Sequence, residues 1–236
     1  MQLDPSSLRL VARTSGDPRE IQSAVWSMAN RMKLDESDVY VLLELLGRTP
    51  PVHDDVLKTV LWALSLRPDA VPVATFALIA ESHPTAGVRN AALRTIGNLP
   101  GEGCVTTLSH VAHNDESPQN RQEAVFFLSL QLPSEGALES ARDSFTRESD
   151  PSVRSAWVHL IGSRTDTGRS GKILWEILRT SDEATEVRRT AAELIVAGDP
   201  SSFAALSNEA TLPEEIREHV RLMASAMNSP DPVSWD

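Results

Sequence analysis

Apolar residues recur along this chain at the spacing of one helix face, and the block that carries them recurs as well. Four segments align without gaps, beginning at Val88, Asn120, Val153 and Val187. Their apolar residues fall at relative positions 0, 4, 5 and 8, one stripe of a 3.6-residue helix. The second copy departs from this, with Asn120 at position 0. The next slot holds arginine every time: Arg89, Arg121, Arg154 and Arg188, at spacings of 32, 33 and 34 residues. Fainter copies begin at Ile216, followed by Arg217, and at Val56 and Ile21, which makes about seven units.

Helix-start chemistry precedes each strong copy: Ser82-His83-Pro84-Thr85, Glu116-Ser117-Pro118, Asp150-Pro151-Ser152 and Ser181-Asp182. Short oxygen-bearing side chains accept from the orphan amides of a first turn, and proline there loses no needed donor. A second helical segment lies upstream of each turn, predicted at Ala70–Glu81, Gly103–His113, Ala137–Arg147, Lys172–Arg179 and Phe203–Asn208. Glycine and proline break the chain between units, as at Leu99-Pro100-Gly101, Leu132-Pro133, Arg169-Ser170-Gly171 and Gly198-Asp199-Pro200. No segment alternates in the manner of a strand. The unit is helix, tight turn, helix and short link. Such hairpins bury their stripes only by stacking, so the fold class expected is an all-α solenoid.

The string Asp150-Pro151-Ser152-Val153-Arg154, with Ala156 and Ile161-Gly162 after it, resembles the HEAT-repeat signature. It is most similar to the short HEAT-like repeats of phycobilin lyases and many bacterial scaffold proteins. The resemblance covers about residues 50–225. It implies a right-handed superhelix whose second helices line the concave side. It also implies that Arg89, Arg121, Arg154, Arg188 and Arg217 are structural, pairing with acids of the inter-helix turns: Asp115 or Glu116, Asp150, Asp182 and Glu214. A guanidinium holds two oxygens at once, which suits a register device between repeats. A basic ladder for phosphate or carboxylate is the alternative. The tetratricopeptide and ankyrin signatures are absent.

Composition adds bounds. The 236 residues, with 41 % hydrophobic and 23 % charged, suffice for a sizeable core. A single domain is expected over 1–228, its repeats clearest at about 69–198, with a proline-rich tail at 229–236. One cysteine, Cys104, excludes an internal disulfide framework or a multi-cysteine metal centre. The net charge of −11 is uneven: residues 181–236 carry −7 and residues 1–180 carry −4. That balance opposes general nucleic-acid binding, which draws on Lys and Arg, and suggests a basic partner for the acidic end. No signal peptide or membrane span is read at Met1-Gln2-Leu3-Asp4-Pro5 or elsewhere, so a cytoplasmic protein is expected.

The motifs that could carry catalysis are each incomplete. His53-Asp54 has the look of the pair in metal-dependent phosphohydrolases, but no earlier histidine exists to complete it. His110 and His113 lie three apart, near Asp115, a spacing able to chelate a metal. Gly168-Arg169-Ser170-Gly171-Lys172 is half a phosphate loop, with Ile173 where a hydroxyl would ligate magnesium; it reads as a flexible link with a helix start. Cys104 follows glycine at a helix start, where a thiol is either activated or simply a small apolar residue. Neither a metal nor a cofactor is expected, and the chain reads as a non-enzyme.

The position five residues after the arginine slot is chemically mixed: Trp62, Arg94, Phe126, His159 and Glu193. Aromatics and arginine are enriched among binding hot spots. This column is the expected partner-binding ridge, unless the apolar stripe is wide enough to make its rings core. Trp157 is expected in the core, and Trp26 and Trp175 are left open. The function expected is a monomeric protein–protein interaction scaffold or adaptor, with an immunity or inhibitor protein as one form. The alternatives are a HEAT-like phycobilin lyase or chromophore-handling protein and, further off, a HEAT-like DNA glycosylase. Trp235 in the tail is a candidate docking motif.

Overall fold

The computed structural model describes residues 4–31, 33–99, 101–131, 134–163 and 167–227. The tail at 229–236 and its Trp235 lie outside them. Fourteen helices and no strand occur among the described residues. The chain divides into two compact units, Met1–Leu128 and Ser129–Asp236. The first holds α1 (Pro5–Thr14), α2 (Pro18–Ala29), α3 (Glu36–Leu46), α4 (Asp54–Ser65), α5 (Val73–Ser82), α6 (Ala86–Gly97), α7 (Glu102–Asn114) and most of α8 (Pro118–Gln131). The second holds α9 (Ser134–Arg147), α10 (Pro151–Gly162), α11 (Thr167–Arg179), α12 (Thr185–Gly198), α13 (Ser202–Asn208) and α14 (Glu214–Met227).

In the first unit the helices pair as hairpins, α1 with α2, α3 with α4 and α5 with α6. Even-numbered helices then line up side by side, α2 on α4 and α4 on α6, while α1 meets α3 and α5 meets α7 behind them. In the second unit α10, α12 and α14 form such a row, with α9, α11 and α13 packed against it. This paired, layered arrangement is that of an α-solenoid. The aliphatic stripes supply the core between layers, with Leu61, Leu64, Phe76, Leu93, Ile96 and Leu108 fully buried in the first unit and Leu160, Ile161 and Leu178 in the second. Trp157 joins the second core, as its place on the stripe predicts.

Local chemistry sets the helix starts. Asp4, Asp17 and Asp35 accept first-turn amides of α1, α2 and α3. Asp150 accepts from the Ser152 and Val153 amides at the start of α10, behind Pro151. His53 caps α4, its Nδ1 accepting from the Asp55 amide at 3.3 Å. Two expectations are corrected. Ser181 and Asp182 do not open α12; they lie in a turn, and the cap position is Ala184. Residues 168–172 are not a link, because α11 begins at Thr167 and runs through them.

Close approach between even-numbered helices depends on two glycines. A Cβ at Gly97 would stand 2.2 Å from the Phe127 ring of α8, and one at Gly162 would stand 2.8 Å from Leu194 of α12. Gly101, at φ 132°, supplies the turn into α7.

Candidate functional site

The repeated arginines are anchored within the protein, each by a different set of acceptors. Arg89 is buried and holds Asp115 of the following turn through two bonds of 2.8 Å, from Nε to Oδ2 and from Nη2 to Oδ1. Its Nη1 donates to the His83 and Pro84 carbonyls. Burial alone would raise the Asp115 carboxyl, but bonds from Arg89, the Ser117 amide and Asn120 hold it below the ordinary carboxylate range. Asn120, the residue that breaks the apolar stripe, is buried here and bonds Asp115, the Ala86 carbonyl and Asn90. Arg121 donates to the Asp115 carbonyl of its own turn at 2.9 Å.

In the second unit Arg154 pairs with Glu183, not with Asp150 or Asp182. It also donates to the Phe145 and Glu148 carbonyls and lies 4.0 Å above the Phe145 ring. Arg188 donates to the Leu178 carbonyl, not to Asp182. Arg217 pairs with Glu214, three residues before it on α14. Each of these arginines thus spends donors on acceptors inside the protein.

The mixed column behaves otherwise. In the first unit Trp62 on α4 and Phe126 on α8 are 40 % and 54 % exposed, so neither ring is core. Arg94 on α6 stands between them in sequence, its side chain 61 % exposed. Its Nε and Nη2 lie 2.8 and 3.2 Å from the two Glu123 oxygens of α8. Contacts joining α4 to α6 and α6 to α8 link residues 29 to 34 apart, through Asp54 and Thr85, Ala86 and Asn120, Asn90 and Asn120, Asn90 and Glu123, and Arg94 and Glu123. The column's 32-residue spacing falls inside that range, so Trp62, Arg94 and Phe126 stand level on adjacent helices.

Two neighbours were not in the expected set. Trp26 on α2 is 58 % exposed, and Leu66, one turn beyond Trp62, is also exposed. Gln22 of α2 donates to Thr59 of α4, which brings Trp26 level with the Trp62 turn. The available signal was an apolar residue four positions past an already suspect one. In the second unit His159 is exposed on α10. Glu193 is half-exposed and bonds His219 of α14 at 2.7 Å. Trp175 is half-buried under Arg179, 4.7 Å from its ring.

The remaining chemical candidates occupy other places. His110 and Asp115 help line a polar cleft of about 290 Å³ over the Arg89 pair, together with His83 and Glu116. Among the described residues no group of three or more His, Cys, Asp and Glu is placed to hold a metal ion. Cys104 is buried on α7, and burial pushes its thiol up, away from the activated reading. No helix among the described residues is long and apolar enough to cross a membrane.

What the first unit's even-numbered helices offer is therefore contact: two or three large rings, an aliphatic side chain and a positioned guanidinium on one open face. Residues 73–162 match the family model described as HEAT repeats. The helical pairs fit a HEAT-repeat solenoid. No curated protein matches the chain significantly.

Proposed function

Taking the HEAT repeats across residues 73–162 as premise, we propose that the protein is a non-catalytic scaffold or adaptor that holds a protein partner on the open face of its even-numbered helices. HEAT repeats generally mediate protein–protein interaction. One observation carries the reading: Trp62 and Phe126 stand level and exposed although the same helices bury nearly every aliphatic residue. Covering what remains exposed of each ring is worth about 1 kcal/mol, roughly half the value for burying a fully exposed side chain, a gain that a partner seated on this face would supply. Aromatic and arginine side chains are the usual anchors of such interfaces.

Charge supports a basic surface on the partner elsewhere. Glu186 on α12 and Glu215 and Glu218 on α14 are exposed, in the quarter of the chain that carries most of the negative excess. An inhibitor or immunity protein masking a basic enzyme is one form of this role.

Affinity purification from the native host, with mass spectrometry, tests the reading on the wild type, Trp62→Ala and Phe126→Ala. A specific partner retained by the wild type and lost from both variants is expected, with unfolding midpoints little changed. A partner held equally by all three would move the interface off this face.

A further inference from the structure

We infer that the face formed by α4, α6 and α8 receives an extended segment of the partner in which an acidic side chain meets Arg94 and an apolar side chain on either side meets Trp62 and Phe126. This rests on the proposal that the face binds protein, and specifies the chemistry it selects.

The acid follows from the guanidinium. Glu123 occupies Nε and Nη2 of Arg94, and Nη1 has no partner among the described residues. The Glu123 side chain is 18 % exposed against 61 % for Arg94, so the carboxylate is the recessed member of the pair. An incoming segment therefore meets held N–H donors first, flanked by rings. A guanidinium fixed by one carboxylate and open at another edge suits a second oxygen acceptor, whereas a lysine or arginine there would face a like charge.

The net charge of the chain does not reverse this choice. On α4 the exposed carboxylate of this face is Asp55, already paired with Lys58. It lies seven residues from Trp62, about 10 Å along a helix at ~1.5 Å per residue. That is roughly a Debye length at physiological salt, so its influence at the ring row is largely screened.

Spacing selects the segment's conformation. Packed helix axes lie about 8–10 Å apart, so the three column side chains repeat at that interval. A polyproline II segment rises about 3.1 Å per residue with three residues per turn and returns a side chain to one side every ~9.3 Å. A β-strand returns every ~6.7 Å and misses the register. The segment is thus apolar, two residues, acidic, two residues, apolar.

Selection of a random 16-residue peptide library on the full-length protein tests this, since that length displays helical spacing as well. The expected consensus is Asp or Glu with Leu, Phe, Trp or Pro three residues to each side. The selected peptide, made synthetically, should bind Trp62→Ala, Phe126→Ala, Arg94→Gln and Arg94→Glu at least about tenfold more weakly, and a Lys-centred version should gain on Arg94→Glu. Arg94→Gln keeps the question open to test should the reversal beside Glu123 disturb folding. A basic-centred consensus, an i, i+7 helical spacing, indifference to Arg94, or no enrichment would each overturn the inference. Where library selection fails but the native partner is still lost on Trp62→Ala and Phe126→Ala, the interface survives and this chemistry falls. Where both fail, the scaffold reading falls with it.

Discussion

At Arg89 a single side chain ties three segments: its own turn through two carbonyls, the next turn through Asp115, and through Asp115 the buried Asn120. Removing one partner of a buried ion pair leaves an uncompensated charge, so Asp115→Asn should cost about 3–5 kcal/mol in denaturant unfolding. The pH dependence follows from the lowered Asp115 value. A depressed carboxyl stabilises the fold above its unfolded pKa, and that contribution fades as pH falls below about 4 through the folded value. The gap between wild type and Asp115→Asn should therefore narrow in acid; a constant gap from pH 7 to 3 would deny the linkage. Ser155 on α10 gives the opposite case. Its buried hydroxyl finds no hydrogen-bond partner among the described residues, so Ser155→Ala should leave the unfolding midpoint unchanged or higher. The arginines were legible because their slot recurs, yet their acceptors were not. Arg154 takes Glu183 where Asp150 or Asp182 was expected, and Arg188 takes a backbone carbonyl, which leaves no trace in a pattern of side chains.

Helices themselves were readable to within a few residues wherever a stripe and a start signal coincided, as at α10 with Asp150 and Pro151. They were misread where glycine stood for a break. Gly168 and Gly171 lie inside α11, whose Ile173, Leu174, Ile177 and Leu178 bury one side and outweigh the poor helix propensity of glycine. Gly97 and Gly162 carry a different requirement, the closeness of adjacent rows. Gly97→Ala would push a methyl into the Phe127 ring and should destabilise by about 1–3 kcal/mol. Gly162→Ala meets the flexible side chain of Leu194 and should cost less. Chemical denaturation of both variants checks the order, and a harmless Gly97→Ala would refute the tight contact.

For the molecule as a whole the fold was carried by periodicity, whereas the candidate face turned on which way each helix is rotated against its neighbours. Phe126 and Phe127 make the point: adjacent rings 5.4 Å apart, one exposed and one buried. Phe127→Ala should cost about 3–5 kcal/mol, while Phe126→Ala should stay within about 1 kcal/mol and be felt in binding; equal losses of stability would return Phe126 to the core. Nothing in composition separates the two, and Trp26 stayed open and Leu66 unnamed for the same reason. The hydrogen bonds described between even-numbered helices of the first unit share one further property: each joins residues only 29 to 37 apart along the chain. Under tension, ties of that reach let go one hairpin at a time. Drawn out from its termini in an optical trap, the first unit would surrender its hairpins in short successive steps and recover them when slackened, behaving as a compliant spring.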